Sequence, residues 1–183
     1  TFDLEYNGYR LASGDFDSNG LREIAISSET GVHFYTAGAV LNVAFDNAKI
    51  QLAPFERIVW LEALDTNGDG RDELIVSILN DSKGFSRVYG FKDGQWSERW
   101  SADYFVRLAD GALVGQRYST DTGYVGEIVD IDAVRGVAVG NGVKLPKGLN
   151  LYNFAYMKTD DGKKMAGLDS AGHMRLYAAD GKT

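Results

Sequence analysis

The sequence predicts an all-β fold: a β-propeller of four-stranded antiparallel blades. Four blades is the preferred count, with a fragment of a seven-bladed propeller as the alternative. Three observations lead there. Glycine is abundant (22 of 183 residues) and aromatics reach 12%, while proline numbers only 2; that mixture suits short strands joined by tight turns. No segment sustains a 3.6-residue apolar period, and only residues 45–52 offer a short helical stretch. Finally, one segment recurs at a fixed spacing, as expected of a chain built from similar units.

The recurrence is clearest between residues 11–24 (LASGDFDSNGLREI) and 61–74 (LEALDTNGDGRDEL), which align without a gap at an offset of 50 residues. A worn copy covers 156–168, where Met157, Thr159 and Met165 stand in the acidic positions, and a fainter one surrounds 106–113. Gly20, Gly70, Gly111 and Gly162 mark the four. The implied units span approximately 7–48, 55–101, 102–145 and 150–183 of a single domain covering residues 1–183.

Each unit reads as four short strands. The first unit places them at 10–13, 23–28, 32–36 and 40–45. The second places them at 57–63, 73–79, 85–91 and 95–100. The third places them at 104–108, 112–118, 126–131 and 134–139. The last offers three, at 151–157, 164–169 and 174–178, and residues 2–6 are expected to supply the fourth, closing the ring. A unit of 40 to 50 residues with four strands is the mark of a propeller blade. Apolar runs such as Ile24-Ala25-Ile26 and Leu74-Ile75-Val76 suit strands sandwiched between neighbouring blades.

Composition narrows the function. Lys plus Arg is 19 and Asp plus Glu is 26, a net charge of −7. That balance argues against a nucleic-acid partner, whose phosphates call for concentrated positive charge. No apolar run approaches the length needed to span a membrane as a helix. The absence of cysteine removes disulfides, thiolate metal sites and cysteine nucleophiles together.

The chemistry is concentrated in two acidic loops, Asp15-x-Asp17-x-Asn19-Gly20-x-x-Glu23 and Asp65-x-Asn67-x-Asp69-Gly70-x-x-Glu73. Oxygen-bearing side chains at alternating positions converge on one point only if the backbone wraps around it, and the glycine permits that sharp turn. Each loop holds three carboxylates, whose mutual repulsion a divalent ion relieves. With the backbone carbonyls of Leu21 and Arg71, each loop offers an all-oxygen donor set. Such sets favour calcium over zinc or copper. An EF-hand is excluded, because its twelfth loop position requires a bidentate Glu where this chain has Ile26 and Val76.

These loops resemble those of FG-GAP or VCBS repeats, the blades of integrin-alpha-like β-propellers, which carry Asp-x-Asp-x-Asp-Gly-x-x-Asp between their first two strands. The resemblance implies one calcium held by Asp15, Asp17, Asn19, the Leu21 carbonyl and Glu23, and a second held by Asp65, Asn67, Asp69, the Arg71 carbonyl and Glu73. One Asn per loop in place of Asp, and Glu in place of the final Asp, are its departures from the family pattern. The implied function is a non-enzymatic, calcium-stabilised module for protein binding or adhesion, with two calcium ions per chain and an unidentified protein or glycan partner. Affinities in the 10⁻⁴ to 10⁻³ M range of extracellular modules imply a secreted, periplasmic or cell-surface location.

Two alternatives come from the aromatics and the fold. Trp60, Trp96, Trp100, Tyr104 and Phe105 suggest a carbohydrate platform of a lectin-like propeller, against the simpler expectation that they fill packing. An accessory domain of a polysaccharide-active enzyme is the other. His33 and His173 are expected to be exposed strand residues with no triad partners.

Overall fold

The computed structural model describes residues 9–37, 41–45, 48–169 and 171–179. Within them the protein is all-β, with no helix and eighteen strands in four antiparallel sheets. The ring-closing strand expected at 2–6 lies outside the described residues, as does the first residue of the strand expected at 40–45.

The first sheet runs β1 (Leu11–Gly14), β2 (Glu23–Ser27), β3 (Gly31–Ala37) and β4 (Leu41–Val43), each paired with the next, and β5 (Ile50–Gln51) adds to β3. Of the stretch 45–52 expected to be helical, residues 46 and 47 lie outside the described residues, and Ile50–Gln51 form a strand. The second sheet joins β6 (Glu56–Leu64), β7 (Glu73–Asn80), β8 (Lys83–Lys92) and β9 (Gln95–Ala102) in order. The third joins β10 (Phe105–Ala109), β11 (Ala112–Gln116), β14 (Glu127–Ile131) and β15 (Ala138–Lys144). Between β11 and β14 lies a small hairpin, β12 (Tyr118–Ser119) and β13 (Gly123–Tyr124), which pairs back onto β8 of the second sheet through Ser119 and Lys83. That hairpin was not legible in the sequence, because two-residue strands carry no period. The fourth sheet is β16 (Phe154–Thr159), β17 (Gly162–Leu168) and β18 (Met174–Ala178). The strand expected at 134–139 begins later, because Asp132 accepts from the Val134 and Arg135 amides and folds that segment into a turn.

Strand β7 is buried on both faces from Glu73 through Leu79, which explains its unbroken apolar run. Its alternating residues serve two packing layers. Leu74, Val76 and Ile78 pack on Ala12, Ala25 and Phe34 of the first sheet. Ile75 faces the other way, with Val88 and Trp100, onto Val106, Leu113 and Ile131 of the third sheet. A third layer sets Val114 and Ile128 against Phe154, Met165 and Tyr177 of the fourth. Burial of each such side chain contributes roughly 1.5–3 kcal/mol.

The sheets also meet edge to edge. A Cβ on Gly14 of β1 would sit 2.8 Å from the Ala63 Cβ of β6, so only glycine lets these strands approach. The Glu62 carboxylate of β6 accepts from the Leu108 amide of β10 at 2.7 Å, and Arg107 of β10 donates to the Phe154 carbonyl of β16 at 2.6 Å. The four sheets therefore follow one another in chain order, each packed on the next.

Candidate metal loops

The two acidic loops occupy equivalent places. Residues 15–22 connect β1 to β2, and residues 65–72 connect β6 to β7. Gly20 and Gly70 adopt φ of 83° and 84° at the turn of each, a left-handed backbone that favours glycine. Both loops curl inward onto their first carboxylate. Asp15 accepts from the Asn19 amide at 3.0 Å and the Gly20 amide at 3.0 Å. Asp65 accepts from Gly68, Asp69 and Gly70 at 2.7, 3.2 and 2.9 Å, and from Asn67 at 3.3 Å. Burial pushes the Asp65 carboxyl up, yet these four amides together hold it below the usual carboxylate range.

The loops lean on each other. The Asp15 amide donates to the Asp72 carboxylate at 3.0 Å, the Asp72 amide donates to the Asp15 carbonyl at 3.0 Å, and Arg22 lies 3.6 Å from Asp72. The first loop is thus anchored partly by the second.

In the first loop, Asp15, Asp17 and Glu23 bring one carboxylate oxygen each to within 4.8 Å of one another, the one such trio of acidic or histidine side chains among the described residues. Glu23 is fully buried. Its Oε2 accepts from the Phe16 amide at 3.1 Å, while its Oε1 is buried with no hydrogen-bond partner. Burial raises the Glu23 carboxyl above its ordinary range; the Phe16 amide opposes this, and the charges of Asp17 and Asp15 add to it. Phe16 fixes the loop from below, with edge-on contacts to Phe34 at 5.6 Å and Trp96 at 5.3 Å.

The second loop has the same spacing and a different interior. Asn67 donates its side-chain amide to Glu73 Oε1 at 2.9 Å. Thr66, which takes the place of Phe16, donates both its backbone amide (2.9 Å) and its hydroxyl (2.6 Å) to Glu73 Oε2. Every oxygen of this buried carboxylate has a partner. Beside it a cleft is lined by Thr66, Asn67 and Asp69 together with Arg71, Lys92 and Arg99, so positive charge already adjoins the loop.

Asn19 and Asp69, the third side-chain position of each loop, point back to the next turn: Asn19 accepts from the Leu21 amide at 2.7 Å and Asp69 from the Arg71 amide at 3.0 Å. Leu21 is exposed. Of the selected residues of the first loop, Asp15, Asp17 and Glu23 therefore gather around one point, with the Asn19 side-chain amide donating to Asp17 at 3.0 Å, whereas those of the second satisfy each other.

A fit to a hard cation can be tested on these contacts. Three carboxylate oxygens this close repel by about 3 kcal/mol per pair where water is partly excluded. A buried carboxylate oxygen without a partner adds a desolvation cost. The all-oxygen set of Asp15, Asp17, Asn19 and Glu23 suits calcium, so the first loop fits. The second fits only after the Asn67 amide turns its oxygen inward and gives up its bond to Glu73.

The other candidates separate clearly. Trp96 stacks on Phe34 at 4.3 Å and Trp100 donates to the Ala133 carbonyl at 2.9 Å; both are packing residues. Tyr104 takes the Arg117 guanidinium over its ring. Trp60 and Phe105 of the expected platform share a cleft of about 550 Å³ with Arg10, Tyr118, Tyr124 and Tyr152. The three tyrosines were missed because they lie on the small hairpin and in a loop, far from Trp60 in sequence. His33 is half-buried and lies 3.1 Å from the Ser28 hydroxyl, which corrects its expected exposure; burial and the nearby Lys49 lower its pKa. His173 is exposed, 3.7 Å from Asp169.

No protein-family model matches the chain, and no curated protein sequence is found similar to it.

Proposed function

We propose that the chain is a calcium-stabilised, propeller-type binding module with no catalytic role, which engages a protein or glycan partner where calcium is millimolar. The observation that carries this reading is the Glu23 Oε1 atom, buried without a partner beside the carboxylates of Asp15 and Asp17. The FG-GAP-like spacing of both loops, their place between the first two strands of successive sheets, and the layered sheets support it. The first loop is the stronger site. The second binds more weakly, because its Asn67–Glu73 bond must break first.

Calorimetry of the whole chain tests the reading: two calcium events of unequal affinity are expected. At a tenfold excess over Kd each site adds about 1.4 kcal/mol of stability. Asp15→Ala removes the tighter event and Asp65→Ala the weaker. A melting temperature indifferent to millimolar calcium would refute the proposal.

A glycan is favoured as partner by the cleft around Trp60, Phe105, Tyr118, Tyr124 and Tyr152. Trp60, Tyr118, Tyr124 and Tyr152 are partly exposed there and offer ring surface to sugar C–H groups, while Phe105, which is buried, packs on Tyr118; Arg10 also lines the cleft. Quenching of tryptophan fluorescence by oligosaccharides, lost in Trp60→Ala, distinguishes this from a protein partner.

A further inference from the structure

The cleft beside the second acidic loop carries the opposite charge to the loop itself. It holds about 560 Å³, within the range of small-molecule sites. Cationic side chains reach it from three elements: Arg71 from the loop, Lys92 from the end of β8 and Arg99 from β9. Asp69 is the one carboxylate among the lining residues. The chain has 26 acidic residues against 19 basic ones. Even so, none of these three cations takes part in an ion pair among the described residues. Other arginines of the second and third sheets are matched: Arg87 lies against Glu56 and Glu98, and Arg135 against Asp132.

The backbone aims these groups. Trp100 pairs with Val88 and Glu98 with Tyr89, so Arg99 is the extra residue of a β-bulge. In a regular strand, neighbours point to opposite faces; here Arg99 and Trp100 both line the cleft. Gly90 of β8 seats the guanidinium, since a Cβ there would lie 2.4 Å from the Arg99 Nε and 2.9 Å from its Nη2. Arg71 is steadied by donating from its Nη1 to the Phe91 carbonyl at 3.5 Å. On the loop side the donors are already spent, because the Thr66 hydroxyl and the Asn67 amide both bond Glu73. Recognition of a ligand therefore falls to the three cations.

We propose that this cleft binds a small phosphate monoester, its phosphate held by Arg71, Lys92 and Arg99 and its organic part beside Trp100 and Val134. Three cations against the single carboxylate of Asp69 leave two positive charges. A phosphate monoester carries nearly two negative charges at neutral pH. The guanidinium groups offer planar N–H forks to its oxygens and Lys92 adds a point charge. A sulfate ester has the same shape with one charge fewer, so it matches the cleft less well. The site stands on the cations, the bulge and Gly90, and it needs no calcium.

Calorimetry on the full chain with phenyl phosphate, phenyl sulfate and phenol tests this. Resin-treated, metal-free buffer keeps the outcome independent of the calcium reading and free of a competing chelator anion. Phenyl phosphate is expected to bind at one site per chain, phenyl sulfate about tenfold more weakly, and phenol not measurably. Arg71→Gln, Lys92→Gln and Arg99→Gln should each weaken phenyl phosphate about tenfold. Lys92 and Arg99 are exposed, so their variants keep the native circular dichroism. Gly90→Ala leaves every charge in place and should also weaken binding, because the new methyl group displaces the Arg99 guanidinium; Gly90 has no positive φ, so the backbone accepts alanine. Lys147→Gln, an exposed cation outside the cleft, should change nothing. No binding of phenyl phosphate at millimolar concentration overturns the proposal. So does a loss in Lys147→Gln equal to that in Arg99→Gln, which would mean diffuse attraction, or equal affinity for the two esters, which would remove the match to a dianion.

Discussion

The two acidic loops share a spacing, a left-handed glycine and a place in their sheets, yet one leaves a buried carboxylate oxygen unpartnered and the other leaves none. The difference lies in two residues. Where the first loop has Phe16 and Asp17, the second has Thr66 and Asn67. Phe16 turns inward as an aromatic anchor and offers Glu23 only its backbone amide. Thr66 offers amide and hydroxyl, and Asn67 adds two N–H donors where Asp17 has only lone pairs. The first loop leaves Glu23 Oε1 without a partner, whereas the second supplies donors of its own to both Glu73 oxygens.

Exchanging that one residue should exchange the behaviours, and this is the largest effect expected. Asn67→Asp removes the donor to Glu73 Oε1 and adds a charge, so the second loop should bind calcium at least about tenfold more tightly. In chelator the same variant should lose about 1–3 kcal/mol, the cost of leaving a buried acceptor unsatisfied. Asp17→Asn should do the reverse: its amide can reach Glu23 as Asn67 reaches Glu73, raising the metal-free melting temperature by about 2–6 °C and weakening calcium binding. Calorimetry and thermal melting on both variants measure this. Parallel rather than opposite changes would break the comparison.

Much of this architecture is written in the sequence, and the missing part has physical causes. The alternation of Leu74 to Ile78, the bend at Gly20 and Gly70 and the two-residue turns at Asp93-Gly94 and Asp110-Gly111 (φ of 52° and 80°, then 52° and 79°) are local, so they can be read directly. The split between the loops is not, because oxygen spacing treats Asp17 and Asn67 as equivalent ligands; only the location of Glu73 shows the amide acting as a donor. The aromatics illustrate the same limit. Trp96, flanked by the polar Gln95 and Ser97, lies among Phe16, Phe34, Phe45 and Phe91, whereas Trp60, flanked by Val59 and Leu61, meets Tyr152, ninety-two positions away. Likewise the sequence places Met174 and Leu176 on the strand expected at 174–178 without telling their burial, and the structure leaves both exposed.

A smaller effect separates the loops by pH. Because burial raises the Glu23 carboxyl in the folded chain, the native state holds its proton longer than the unfolded state does. In chelator, Glu23 therefore lowers stability as pH rises from the unfolded glutamate value of about 4.3 through its raised folded value. Asp65 acts in the opposite sense: its folded pKa is depressed, so its stabilisation is complete above the unfolded aspartate value of about 3.9 and is lost as pH falls through the folded one. Glu23→Gln should remove the falling limb and Asp65→Asn the rising one, read from melting temperatures across the acid range. Saturating calcium should cancel the Glu23 limb, since the ion favours the deprotonated carboxylate that burial disfavours. A falling limb that survives Glu23→Gln would assign it elsewhere, with Glu62, whose carboxyl burial also raises, as the first group to examine.

The smallest expected effect bounds the comparison from outside. In the fourth sheet the corresponding connection has shrunk to the turn between Thr159 and Gly162, which pair directly across β16 and β17. Asp161 there accepts from the Thr159 hydroxyl at 2.7 Å and meets Lys164 at 3.0 Å, and both contacts hold its carboxyl below the usual range. Its charge is thus already matched by a cation of the protein, on a turn too short to wrap around an ion. Asp161→Ala should leave both calcium events unchanged in affinity and number, and its effect on the melting temperature should be slight, because exposed ion pairs contribute little. If removing Asp161 weakened calcium binding, acidic character alone would explain the response, and the geometry that distinguishes the Glu23 loop from the Glu73 loop would lose its meaning.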